Sequence, residues 1–276
     1  MVNEKQETVG DEPAGVLTAE LFSIGTELTL GRIQDTNSFW MAARLSEMGV
    51  QTRRITVLAD DLDDIVSALG ASIERRTGLM IITGGLGPTP DDRTVEAICR
   101  LTGRSAIVYD NIVEEYMERR FISRSEVSEG LLKMATAPEG ADAQPNPAGW
   151  APCIRLDLGE TTLFVLPGPP REMEAVFTTH VAPYLAGRLT RRSHSLRVFV
   201  DMYESEVSPF MEEVMRRCEG VYLKAYVALR VGDRHGLPVD IVASGDDEES
   251  SLNRLRDAEI LFAELVHAHG KNISNL

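Results

Sequence analysis

The stretch "MIITGGLGPTPDDRTVEAI", residues 80–98, decides how the chain is read. A short continuous apolar run stops at Gly84-Gly85, and a third glycine, two prolines and two aspartates follow before a new periodic segment. Such a run suits a strand buried on both faces of a parallel sheet, and the segment after it has helical spacing from about Thr89 to Leu101. Glycine at a strand end permits positive φ and lets a ligand reach the backbone with no Cβ in the way. Ligands of open α/β sheets bind beyond the carboxyl ends of the strands, so Thr83, Gly84, Gly85 and Gly87 are candidate binding residues for a phosphate. Thr89-Pro90-Asp91-Asp92 also reads as an ordinary helix start, with Thr89 as N-cap and Asp92 as its acidic partner.

Outward from this point, strand and helix patterns alternate. Strands are expected at 19–25, 50–58 and 78–83, and helices at 36–49 and 61–76, which argues for a three-layer α/β domain with a mostly parallel sheet. Residues 121–150 hold a short helical candidate and then "APEGADAQPNPAGW", read as a long surface loop. "CIRLDLGETTLFVLPG" (153–168) reads as two strands around Gly159-Glu160, followed by the helix "REMEAVFTTHVAPYLAGRL". From about Arg191-Arg192 the order is strand (194–202), helix (204–218), strand (221–231), strand (239–244), helix (249–269), a separate small α+β domain. The expected divisions are a disordered tail over 1–18, the α/β domain over 19–188 and the small domain over 189–276.

Composition narrows the function. Hydrophobic residues make up 43% and charged residues 26% of the 276, typical of a water-soluble globular protein. The start "MVNEKQETVGDEP" is no signal peptide, and Cys99, Cys153 and Cys218 are too few and too far apart for a disulfide framework, so a cytoplasmic protein without a membrane span is expected. A net charge of −15 disfavours nucleic acid as a partner. A small anion remains compatible, because backbone N–H groups and metal ions supply a local positive field. No Ser-His-Asp or Cys-His order supports covalent catalysis.

Two further strand ends resemble the first in kind. "GTELTLGRIQDTN" (25–37) carries Gly25, Thr26, Glu27, Asp35 and Asn37, and "LPGPPREMEAV" (166–176) sets Gly168 between Pro167 and Pro169. "GTELTLGRIQDTNSFWMAARLSEMGV", "TGGLGPTPDDRTVEAI" and "LPGPPREM" together resemble the signature loops of the competence/damage-inducible CinA family. The first domain is also similar to the molybdopterin-binding domain of molybdenum-cofactor biosynthesis proteins of the MoaB/MogA kind, through T-G-G-x-G and the aspartate at 92.

The resemblance, which spans about residues 19–244, implies a KH-like second domain and a self-associating protein, a homo-oligomer. It implies a metal-dependent ADP-ribose pyrophosphatase using a divalent ion of the Mg, Mn or Co class, with Asp92, Asp60 and Glu27 as catalytic acids and Asp92 and Glu27 as metal ligands. The alternatives are a molybdopterin-binding protein, whose ligand would be a pterin phosphate, and a noncatalytic nucleotide-binding protein. Asp60 reads equally as the acid facing the glycine loop or as N-cap of the helix from Leu62; Glu27 has no capping role that would explain it. The deamidase domain that ends long family members is not expected in a chain that stops at Leu276, and the paired glutamates of a Nudix box are missing. The small domain has no G-x-x-G between 190 and 276 and is acidic, against RNA binding in the KH manner.

Overall fold

The run at residues 79–83 is the buried middle of a twisted sheet. The computed structural model describes residues 17–189, 191–229 and 236–275. They fall into two compact units, one holding Leu17–Ser46 and Val50–Arg188, the other Glu47–Gly49 with the described part of Leu189–Leu276.

In the first unit the elements run β1 (Thr18–Ile24), α1 (Thr26–Thr29), α2 (Asn37–Glu47), β2 (Gln51–Leu58), α3 (Leu62–Glu74), β3 (Leu79–Thr83), α4 (Thr94–Thr102), β4 (Ala106–Val108) and α5 (Asp110–Arg120). They continue with α6 (Glu129–Met134), β5 (Thr136–Pro138), β6 (Asp142–Gln144), β7 (Cys153–Leu158), β8 (Thr161–Leu166), α7 (Pro170–Val176), a π-helical turn (Phe177–Val181) and α8 (Ala182–Ala186). The main sheet has the order β2-β1-β3-β8-β7-β6. β2, β1, β3 and β8 are parallel to their neighbours, and β7 and β6 are added antiparallel at one edge. The sheet is mostly parallel, as the alternation of patterns predicts.

Every residue of β3 is buried, which explains its unbroken apolar run. β1 is as deeply buried, yet it carries Glu20, which is 1% exposed. Arg75 grips this carboxylate with two bonds of 2.8 and 2.6 Å, Thr77 donates a third, and Arg54 lies 3.3 Å away. Burial raises the Glu20 carboxyl, but Arg75 with the Ser72 and Thr77 hydroxyls more than offsets this, and it stays below the ordinary range.

The second unit contains β9 (Arg192–Val200), α9 (Glu204–Arg217), β10 (Val221–Ala225), β11 (Leu237–Gly245), α10 (Glu248–Ala268) and β12 (Ile273–Asn275). Its antiparallel sheet has the order β10-β11-β9-β12, and α9 and α10 close a core around Val198, Val214, Ile241 and Phe262. This is the smaller α+β domain. No helix among the described residues is long and apolar enough to cross a membrane.

Several expectations need correcting. α4 begins at Thr94 rather than Thr89, because Thr89–Asp92, with Pro90 inside it, closes a tight turn between Pro88 and the helix (Asp92 N–H donates to the Thr89 carbonyl at 3.1 Å). The loop expected after residue 136 contains β5 and β6. The strand expected over 221–231 ends at Ala225, and Val227–Leu229 is a 3-10 turn; residues 230–231, like residues 1–16 of the expected tail, lie outside the described residues.

Candidate functional site

Parallel pairing puts the carboxyl ends of β1, β2, β3 and β8 in line: Ile24 pairs with Leu58, Ser23 with Thr83 and Thr83 with Leu166. The loops leaving these ends are stitched together by backbone bonds, Gly25 N–H to the Leu58 carbonyl (2.9 Å) and Gly84 N–H to the Leu166 carbonyl (3.1 Å). Asn37 Nδ2 donates to the Gly168 carbonyl at 2.8 Å, tying the start of α2 to the third loop, while its buried Oδ1 has no partner. These loops enclose a cavity of about 530 Å³.

The glycine loop forms one wall. Gly84 and Gly85 have φ of +93° and +65°. A Cβ on Gly84 would lie 2.1 Å from the Ile24 carbonyl oxygen, and one on Gly85 would lie 2.1 Å from Thr94 Oγ1, so both positions require glycine by conformation and by space. Thr94 locks the turn, its hydroxyl donating to the Gly84 carbonyl (2.9 Å) and its N–H to the Gly85 carbonyl (3.2 Å). The carbonyls are thus occupied, whereas the consecutive N–H groups of Gly85, Leu86 and Gly87 have no partner among the described residues. A row of free amides following left-handed residues is an anion-binding concavity.

The charged side chains of the remaining walls are acidic. Glu27, Asp35, Asp60, Asp91, Asp92 and Glu172 line the cavity, and no Lys, Arg or His does so among the described residues. Asp60 does not cap α3; Asp61 does, accepting from the N–H groups of Asp63 and Asp64. Asp60 Oδ2 instead accepts from Thr26 N–H (2.7 Å) and Thr26 Oγ1 (2.8 Å), fastening the start of α1. Asp92 Oδ2 accepts from Thr89 N–H (2.9 Å) and Oγ1 (2.6 Å), the capping contact expected of it, made within a turn instead of a helix. The carboxylates of Glu27 and Asp92 lie against Gly25 and Gly87, so that a methyl group there would sit 2.6 and 2.5 Å from an oxygen. Glu27 stands in the first turn of α1, where an acid suits the helix dipole, a structural explanation that sequence reading had not supplied.

The cavity therefore brings together Gly25, Glu27, Asn37, Asp60, Thr83, Gly84, Gly85, Gly87, Asp92, Gly168 and Pro169. Thr26 lies behind Asp60, and Pro167 is buried; neither lines it. Among the described residues no group of three His, Cys, Asp or Glu side chains is placed to hold a metal ion.

Trp150 and Glu172 are among the lining residues that escaped the sequence reading. Trp150 lies on the segment 145–151, anchored from several sides. Tyr116 Oη donates to its carbonyl (2.5 Å), Arg119 donates to the carbonyls of Gly149 (2.7 Å) and Asn146 (2.6 Å), and His180 Nε2 meets the Pro145 carbonyl at 2.8 Å. The Arg120 guanidinium sits 4.9 Å from the indole centroid. Asn146, 2% exposed, donates from Nδ2 to the Ala151 carbonyl and to Glu172 Oε2 (2.8 Å). Burial pushes the Glu172 carboxyl above its usual range, only partly countered by Asn146 and the Trp150 backbone. A signal did exist: an acid in the first turn of a helix that leaves a Gly-Pro-Pro strand end.

Residues 20–187 match the family model described as a probable molybdopterin binding domain. Protein PAE0875 of Pyrobaculum aerophilum is 37% identical over 254 residues, covering 90% of this chain and 94% of that one. Protein TK1472 of Thermococcus kodakarensis is 35% identical over 206 residues, covering 72% and 81%. The crystal structure of the protein CinA, of unknown function, from Thermoplasma acidophilum is 31% identical with a TM-score of 0.57, covering 61% of this chain and 98% of that one. The match over residues 20–187 and the similarity to the Thermoplasma acidophilum CinA structure show that the chain belongs to the molybdopterin-binding-domain family, in its CinA-like form.

Proposed function

We propose that the cavity binds a phosphorylated pterin of the molybdopterin kind, with a phosphate on the amides of Gly85, Leu86 and Gly87. The observation that carries this reading is the row of unpartnered N–H groups in a cavity whose charged side chains, among the described residues, are all acidic. Amides are the only positive groups this wall offers, and three of them in one turn suit a tetrahedral anion. The family model over residues 20–187 supports a pterin as the rest of the ligand. Pterin fluorescence in protein purified from its source, and saturable binding of inorganic pyrophosphate by calorimetry, test this reading. Absence of both rejects it.

A second reading is hydrolysis of the diphosphate of ADP-ribose to AMP and ribose 5-phosphate. Water forms a new P–O bond as the bridging P–O bond breaks. It is favoured by Glu27 and by Asp92 Oδ1, carboxylate oxygens beside the glycine loop with no hydrogen-bond partner among the described residues. Mg²⁺ is commonly held by one or two carboxylates together with substrate phosphates, so a pair of acids fits such an ion although no three-residue cluster exists among the described residues. When bound, the ion would neutralise diphosphate charge and activate water. The protein's own part is to orient the phosphates on the loop amides and to hold Asp92 rigid through Thr89. Asp92→Asn retains an acceptor for Thr89. It should melt within about 2 °C of wild type, while metal-dependent turnover of ADP-ribose falls about a hundredfold or more. Equal turnover would leave Asp92 a turn-closing residue. Self-association is part of the proposal and is read by light scattering.

A further inference from the structure

The cavity has a second feature that phosphate binding does not use. Trp150 and Met134 line it, and so does Glu172, whose carboxylate is partly buried with no ion pair among the described residues. Asn146 holds this carboxylate at 2.8 Å. An ionised carboxylate offers about four acceptor directions, of which Asn146 takes one. A partly buried acceptor that shares the cavity with an indole is completed by a planar ring that brings N–H donors to it.

We propose that Trp150 and Glu172 form the ring-recognition subsite of the cavity, selecting a heterocycle with adjacent N–H and NH₂ donors, the 2-amino-4-oxo edge shared by pterins and guanine, over adenine. The argument rests on the pterin-phosphate reading above for the occupant's other end, but its chemistry stands on these residues alone. A carboxylate accepts two parallel hydrogen bonds from the N–H/NH₂ pair of a 2-amino-4-oxo ring. Adenine brings one amino group and an adjacent ring nitrogen that is itself an acceptor, so one pair of lone pairs would face each other. Sites built to receive N–H groups reject rings lacking them far more strongly than apolar pockets reject a missing methylene. The Trp150 indole supplies a stacking surface that does not discriminate among rings, which leaves the choice to Glu172. Asn146 fixes the carboxylate while donating its other bond to the Ala151 carbonyl, so segment 145–151 and Glu172 are positioned as one body.

The test uses the full chain and ring compounds without phosphate, so that it does not depend on the glycine loop. Binding of 6-hydroxymethylpterin, guanosine, inosine and adenosine is measured by calorimetry for wild type, Glu172→Gln and Trp150→Phe, with thermal melts as the folding control. Inorganic pyrophosphate is measured in parallel. In wild type, 6-hydroxymethylpterin or guanosine should bind at least about tenfold more tightly than adenosine, with inosine between them because it lacks the amino group. Glu172→Gln should bring that ratio to within about threefold while pyrophosphate still binds at least as tightly as to wild type; Trp150→Phe should weaken all rings together and keep the ratio. The comparison of pterin with guanosine tells which source of the edge is preferred. Adenosine binding as tightly as guanosine and pterin, a ratio untouched in Glu172→Gln, or no measurable ring binding overturns the proposal. Loss of pyrophosphate binding alone, with ring selectivity intact, overturns the phosphate reading and not this one.

Discussion

The two units are built from the same materials, strands covered by helices, yet only one gathers chemistry at an edge. In the first, β1, β2, β3 and β8 run the same way, so four loops leave the sheet side by side and every lining residue of the cavity falls between Ile24 and Glu172. In the second, every neighbouring pair is antiparallel: β9 and β10 run one way and β11 and β12 the other, so the strand-end loops are divided between the two ends of the sheet. The concavity there, lined by Arg217, Cys218, Asp257, Ile260, Leu261 and Glu264, is a helix-surface recess with no strand-end loop in it. Direction of pairing decides whether separate turns can act on one ligand.

The sharpest way to break this contrast is at Gly84. Gly84→Ala forces a side chain to positive φ and against the Ile24 carbonyl, which should cost about 4 kcal/mol or more and abolish pyrophosphate binding. Urea titration and calorimetry read both, and a stable variant that still binds would show that the loop is adaptable. Phe262→Ala, at a fully buried position of the second unit, should cost about 3–5 kcal/mol while leaving pyrophosphate affinity unaltered. A change in affinity would show that the cavity is not the property of the parallel unit alone.

Glu20→Gln comes next, at about 2–3 kcal/mol. Arg75 is 36% exposed and can rehydrate, which keeps the cost below that of stranding a fully buried charge. Because the folded carboxyl is depressed, its contribution is present at neutral pH and is lost as pH falls below the ordinary carboxylate range. Wild-type and variant melting temperatures should therefore converge in acid; parallel curves down to pH 3 would exclude the linkage. The smallest effect is expected at Glu172. Its raised folded value means that ionisation opposes folding at neutral pH and that this penalty vanishes in acid. Glu172→Gln should raise the melting temperature by about 1–2 °C at pH 7.5, with no gain at pH 4. A lower melting temperature would make Glu172 a structural residue.

Much of the parallel unit is legible in its sequence because its signals are local. The β3 run and the glycines after it announce a buried strand and a special turn, and the periodicity of "DLDDIVSALGASIERR" gives α3 within two residues of its ends. What escapes is held by distant partners. α1 is four residues long and is fastened by Asp60, 34 positions away. β4 and β5 are three residues each and exist only as a pair, and β12 forms only against β9. In the site, glycines and prolines declare themselves by backbone demands, whereas Glu172 gains its environment from Asn146, 26 positions earlier. Asp92 shows the converse: its local pattern is right, but Thr89–Asp92, with Pro90 inside it, closes as a separate turn ahead of α4.

The anchoring of segment 145–151 has a consequence for speed. His180, Tyr116, Arg119 and Asn146 hold this stretch from both ends and the middle, so Trp150 is in position before any ligand arrives. A wall assembled in advance needs no closing step, and its ordering entropy is already spent in folding. Stopped-flow mixing with a fluorescent pterin should then give a single exponential whose rate grows linearly with concentration, with an association constant at or above about 10⁶ M⁻¹ s⁻¹. Selectivity among rings would reside in how long each stays rather than in how fast each enters.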